Sequence, residues 1–301
     1  MAREDHTWTV SGDGATAYLF GGRDGETVHG DLWAYDLASD SWAGPLSPGG
    51  PTPDPRFGHE AEWVDGIGLV IVFGQRGATF YDDLWAYDPA ADAWRQLPAS
   101  GATPVARYGS CASLGPDGRL WISHGFTAES ARFADTWAYD FGAGTWTDET
   151  PSAGTPPVSR CLHGCWWTDA GTFRLYAGQT TGATALGDLW ELDPAVGAWR
   201  PLEGTLPVDR NLYARARVGS ATIAFGGQAI DESYLGDVHR LADEDTGANE
   251  VEITGEASPP GRSGAELIHD PARSRLLLFG GRNGDGAMAD LWALGEVSAG
   301  E

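Results

Sequence analysis

Three sets of residues in this 301-residue chain have the types and spacing to do chemistry. The first is an arginine at Arg3, Arg56, Arg107, Arg160, Arg210 and Arg262, answered by an aspartate at Asp31, Asp83, Asp135, Asp188, Asp237 and Asp290. A guanidinium facing a carboxylate makes two parallel hydrogen bonds, so one pair per repeat reads as an architectural lock. The second set breaks that regularity. Arg23, Arg76 and Arg282 follow a glycine stop where the other repeats carry Thr127, Thr180 and Gln228. They form a candidate anion site, with Gln75, Phe126, Gln179 and Gln228 in the same loops as further substrate contacts. The third set is a histidine three residues after the arginine: His6, His59 and His163, with Ser110, Tyr213 and Ala265 at the other positions. The histidines suit proton transfer near neutral pH, with Tyr213 beside them, or ligation of a metal with open coordination sites. Against this, strand faces in a radial repeat pack against the neighbouring repeats, so packing is the expected role of these histidines. Cys161, next to Arg160, is a weaker nucleophile candidate whose thiolate a guanidinium would favour.

The elements that must position these groups repeat too. Asp31-Leu32-Trp33-Ala34-Tyr35-Asp36 returns as Asp83 to Asp88, Asp135 to Asp140 and Asp188 to Asp193, then more loosely as Asp237 to Leu241 and Asp290 to Leu294. The residue two past each leading Asp falls at 33, 85, 137, 190, 239 and 292, in steps of 52, 52, 53, 49 and 53. A period near fifty with several strand-like runs predicts a radial all-β repeat. In the second repeat the strands are expected at Gly58 to Val64, Leu69 to Phe73, Leu84 to Tyr87 and Ala93 to Leu97. In the fifth, Val251 stands where Trp42, Trp94, Trp146 and Trp199 stand elsewhere. In such a meander, the loops between strands two and three and those between repeats share one mouth of a central channel. All three residue sets belong to that end.

With Gly21-Gly22, Gly226-Gly227 and Gly280-Gly281, the spaced Tyr35, Tyr87 and Tyr139 and the four spaced tryptophans, the chain resembles the kelch-repeat β-propellers. The resemblance covers the whole sequence. It implies one six-bladed propeller domain over 1–301, with blades near 3–52, 53–104, 105–157, 158–207, 208–259 and 260–301 and a three-stranded last blade. The exchanged terminal strand that usually closes such a ring is not visible. Small-molecule kelch members, the sialic acid mutarotases and the plant specifier proteins, imply lyase, isomerase or cyclase chemistry, metal-assisted by Fe(II) in the specifiers. In that subgroup arginines after Gly-Gly contact the anionic group, as Arg23 and Arg76 would here. Its E-x-x-x-D-x-x-x-H ligand run is absent, the nearest stretch, Asp231 to His239, having Leu235 at its centre. The commoner kelch role, a protein-interaction module, is the alternative.

Composition narrows the partners. A net charge of −24, with nineteen basic residues that are all arginine, argues against nucleic acid and anionic membrane surfaces. A small anionic ligand at the loop face is the expected partner. The unpaired edge of a three-stranded blade also makes a homodimer an expectation. Three cysteines without a CxxC pair, no apolar leader and no long apolar run point to a cytoplasmic protein without a disulfide framework, Cys111 and Cys165 being small core residues.

Overall fold

Each residue of the repeated Asp-Leu-Trp-Ala-Tyr-Asp run has a structural task in the computed structural model, which describes residues 1–128, 131–251 and 258–295. In the first repeat, Asp31 accepts two hydrogen bonds from Arg3, at 2.9 and 3.0 Å, and one from the Trp33 indole at 2.7 Å. Leu32 is buried, and the Tyr35 hydroxyl donates to Asp40 in the following turn. Asp36 then caps that turn by accepting the backbone N–H groups of Ala38 and Ser39. The run is the third strand of a four-stranded antiparallel meander.

Six such sheets are present. Their first strands are Thr7–Val10, Glu60–Val64, Cys111–Leu114, Gly164–Trp167, Ala214–Val218 and Ser263–Asp270. These innermost strands line the central channel, and the later strands stack outward. The second repeat holds its strands at Glu60–Val64, Gly68–Val72, Leu84–Asp88 and Ala93–Gln96, within two residues of the expected bounds. In the fifth, Asn249–Glu250 is the outer strand, and Val251 packs beside it. The sixth sheet has Ser263–Asp270, Arg275–Asn283 and Leu291–Leu294, with a short lip at Gly286–Ala287. The fold is an all-β six-bladed propeller whose last blade has three full strands among the described residues.

Its core is divided among the blade seams. Separate apolar clusters fill each seam, such as Phe20, Ile71 and Trp94 between blades one and two, or Leu19, Tyr35 and Phe279 between six and one. Aromatic rings bury the area that short strands of small residues cannot. The second residue of each glycine stop serves the same seams. A Cβ on Gly74, whose φ is +97°, would lie 2.9 Å from the Cβ of His59, and one on Gly178 would lie 2.7 Å from that of His163.

The six entrance arginines are fully buried, and each bonds an aspartate of its own blade and the carbonyl of the left-handed residue at its glycine stop. The residues two past them, Asp5, Gly58, Gly109, Leu162, Leu212 and Gly264, all adopt left-handed backbone. Each of the six donates its N–H to the carbonyl of the one before it, at 2.7–3.1 Å, around the whole circle. The seam between blades six and one is therefore bonded like the other five, with no exchanged strand among the described residues.

The cysteines correct one expectation. Cys111 and Cys165, on neighbouring innermost strands with Cα atoms 5.8 Å apart, form a disulfide between blades three and four. The cysteine count consequently no longer supports a reducing compartment. No helix among the described residues is long and apolar enough to cross a membrane.

Candidate functional site at the channel mouth

Two layers of residues build the mouth. The ring of left-handed residues forms its floor. Above it, Glu4, Phe57, Tyr108, Cys161, Asn211 and Ser263 each pair through the backbone with the residue after a glycine stop: Arg23, Gln75, Phe126, Gln179, Gln228 and Arg282. This register corrects the sequence alignment in blades two, three and four, where Gln75, Phe126 and Gln179, rather than Arg76, Thr127 and Thr180, follow the glycine stop. Gln75, not Arg76, is the equivalent of Arg23 and Arg282, because Thr7 pairs with Phe20 whereas Glu60 pairs with Val72. The hairpin in blade two is one residue shorter. Arg76 lies further out, exposed in the small Gln75–Arg76/Thr79–Phe80 hairpin, and makes no ion pair among the described residues.

Arg23 and Arg282 converge from opposite ends of the chain. Arg23 Nη2 is 2.8 Å from Asp5 Oδ2, and its Nε is 3.4 Å from Glu4 Oε1. Arg282 Nη1 reaches the same Glu4 oxygen at 3.3 Å. The Arg23 guanidinium lies 4.3 Å from the centre of the Phe57 ring, which meets the Tyr108 ring edge-on. Both arginines stay partly exposed, at 32% and 42%, while the two carboxylates beneath them are buried. Burial, then the charge of Asp5, pushes the Glu4 carboxyl up to about 7 against the pull of Arg23 and Arg282. Burial raises Asp5 as well. The sequence reading missed this acidic pair, although Asp5 stands where three other repeats carry glycine.

The remaining predicted residues fall in three places. Gln179 accepts a hydrogen bond from Arg132 of blade three at 3.1 Å, tying two blades together, whereas Gln75 donates to Gly77 and Gln228 to Glu232, each holding its own loop. Phe126 packs with Tyr108 and Phe80 as an aromatic wall. His6, His59 and His163 are buried in blade seams, His6 edge-on to Phe279, His59 to Phe20 and His163 to His124. Burial drives all three imidazoles below their usual range, His59 to about 3, so they are neutral at pH 7. Tyr213 is buried, donates to the Tyr176 carbonyl at 3.2 Å, and has its hydroxyl raised by burial. Burial likewise raises the Cys161 thiol despite Arg132 beside it, opposite to the activation expected.

The Fe(II) chemistry of the specifier proteins does not fit these residues. Among the described residues no three His, Cys, Asp or Glu side chains are grouped to hold a metal ion. Asp231 caps its own turn through Ser233, and His239 bonds Asp237 in place of a tryptophan.

A second set of charges lies within the channel and was not anticipated: Glu60, Glu62, Arg215 and Glu266. Their only sequence signal is that the other innermost strands carry Thr7, Cys111 or Gly164 at the position of Glu60 and Glu266.

The family model for the KLHDC2/KLHL20/DRC7 Kelch-repeats domain matches residues 1–118 and 94–242. The chain belongs to the kelch-repeat family. Among its relatives, this kelch propeller is 28% identical over 260 residues to the mouse multiple epidermal growth factor-like domains protein 8, covering 79% of this chain and 9% of that protein. It is 26% identical to the rice Adagio-like protein 1, covering 76% of this chain and 40% of that one. It is 24% identical to the N-(sulfonatooxy)prop-2-enimidothioate sulfolyase of Thlaspi arvense, covering 75% of this chain and 70% of the sulfolyase. The kelch propeller thus spans only a minor part of the first two relatives.

Proposed function

We propose that this kelch propeller is a receptor for a small anionic molecule at the channel mouth, with Arg23 and Arg282 as the anion contacts. The observation that carries the reading is their convergence on one carboxylate oxygen, at 3.4 and 3.3 Å. Two guanidinium groups so placed offer adjacent donors beyond those bound to Glu4 and Asp5, and a ligand oxyanion accepts from them against the competing charge of Glu4. Phe57 and Tyr108 supply a flat apolar wall beside the charge, the usual composition of a small-molecule site. Arg76 adds positive charge at the outer rim. Acting on the ligand requires a group that exchanges protons near neutrality. At this spot that group is Glu4, whereas the neutral histidines lie inside the seams. The sulfolyase among the relatives, whose named substrate bears an anionic sulfonatooxy group, accords with an anionic ligand class.

The test is calorimetric titration of the full chain with a panel of small carboxylates and sulfate and phosphate monoesters. At least one should bind, and Arg23→Ala and Arg282→Ala should each weaken it by roughly ten- to hundredfold. Arg200→Ala, on an outer strand, should leave binding unchanged.

A specific observation favours a second reading, a protein-interaction platform. Val105, Val158 and Val208 recur two residues before the entrance arginines of blades three to five and are 56%, 53% and 58% exposed. Their carbonyls are held by the arginine Nε atoms at 2.9–3.1 Å, so this apolar arc is rigid. It becomes the leading reading if no small acid on the panel binds.

A further inference from the structure

A sizeable cavity lies in the channel, below the mouth. It measures about 420 Å³, the size of a small-molecule site, and opens on the opposite face between the turns at Ser11 to Gly14 and Pro271. A second, smaller cavity of about 70 Å³ lies toward the mouth, sharing Glu60, Arg215 and Glu266 with the first and lined by the ring of left-handed residues. The ring of Tyr108 covers Gly58, and the side chain of Leu162 covers Gly109.

Two cations and three acids line the larger cavity, but Arg217 is held by Asp243 at 2.8 and 2.9 Å, which leaves Arg215 as the one base facing the acids. Arg215 reaches across from blade five and donates to the carbonyls of Cys165 and Ala112, at 3.3 and 3.4 Å, with Glu60 at 3.7 Å. Gly164 makes room for it, since a Cβ there would lie 2.8 Å from Arg215 Cδ. Glu60 and Glu62 come from blade two and Glu266 from blade six, leaving an excess of two acids over one base. Two further groups at the narrow end lack partners. The Ser110 hydroxyl is 1% exposed and has no hydrogen bond, and the same holds for Asp5 Oδ1, whose residue is 6% exposed.

We propose that the channel is a second ligand site, taking a small organic cation of the diamine class between Glu60, Glu62 and Glu266. The wide spacing of the acids selects a molecule over an ion: among the described residues they do not form a group able to hold one metal. Thr7, Thr9 and Ser113 line the same cavity and supply hydroxyl acceptors for ammonium N–H groups. Arg215 stays in place, since its bonds to two carbonyls do not depend on the acids, and it divides Glu60 from unbalanced repulsion with Glu266. Burial pushes Glu60 and Glu62 up to about 7 and Glu266 up to about 8, as expected where acids outnumber their cation.

The test is calorimetric titration of the full chain with 1,4-diaminobutane at pH 8, alongside calcium chloride. The expected result is saturable binding of the diamine, one per chain, undisturbed by equimolar calcium. Glu60→Gln and Glu266→Gln should each weaken it about tenfold or more. Glu203→Gln, an exposed acid on the outer surface, should leave it unchanged. Both channel variants relieve repulsion, so each should melt no lower than the parent and report on binding in a folded protein. The proposal is overturned if the diamine shows no saturable binding, if the channel variants bind it as the parent does, or if calcium displaces it at equal concentration.

Discussion

Asp5 donates its backbone N–H to the carbonyl of Gly264 at 2.9 Å, and with that bond the last blade is joined to the first. The Arg3 carbonyl accepts from Gly281 across the same seam, and the Arg3 N–H donates to Met288. Closure therefore rests on the entrance segments, and those are held by the arginine–aspartate pairs.

Removing one partner of such a pair leaves the other charge stranded. Arg160→Ala and Asp188→Ala should each destabilise the protein by about 3–5 kcal/mol in urea unfolding. Arg200, 64% exposed, should cost about 1 kcal/mol or less on the same change. Equal midpoints for the Arg160 and Arg200 variants would show that the ring is held by its backbone bonds alone.

The glycine stop makes a separate demand. Gly74→Ala places a methyl 2.9 Å from His59 Cβ, on a residue whose φ is +97°. Overpacking and backbone strain together should destabilise by about 1–3 kcal/mol. Gly25→Ala, where a Cβ meets nothing within 4 Å, separates the two causes, since its φ of +99° leaves only the strain. The melting temperatures of both variants measure the difference.

Stability should fall as pH rises from 6.5 to 8. Glu4, Glu60, Glu62 and Glu266 are raised from 4.5 to between about 7 and about 8, so the folded chain holds protons that the unfolded chain has released. Their contribution is full below pH 4.5 and is lost through pH 7–8. The buried His6, His59, His124 and His163 are lowered from 6.5, so their contribution is present above 6.5 and lost as pH falls. Between 6.5 and 8 the unfolded histidines lose their remaining protons, so the carboxyls outweigh them and set the sign of the slope. Thermal melts across that window should show a decline that Glu266→Gln flattens; a rising melting temperature would contradict the assignment.

What could be read beforehand was whatever the repeat enforces. Trp33, Tyr35 and the Arg3–Asp31 pair recur because each blade needs the same bonds, so periodicity exposed the six blades and the locks. The three-stranded last blade followed from counting strands. Arg76 was misplaced because the hairpins of blades two to four are a residue shorter than that of blade one, a change that alters register without altering the motif. The disulfide was missed because Cys111 lies four residues past its arginine and Cys165 five, so no equivalence between repeats pairs them. Glu4, Asp5 and the channel acids were missed for a related reason. An acid on a strand reads as solvent-facing until the ring closes around it.

The central claim, an anion site at Arg23 and Arg282, is tested most directly by Glu4→Gln. The Glu4 carboxylate now competes with a ligand for both guanidinium groups, so removing its charge should strengthen binding of a small carboxylate or sulfate monoester. The affinity of Glu4→Gln, set beside Arg23→Ala and the parent at pH 8, should rise about tenfold while that of Arg23→Ala falls by as much. Affinities that move together, or do not move, would contradict it.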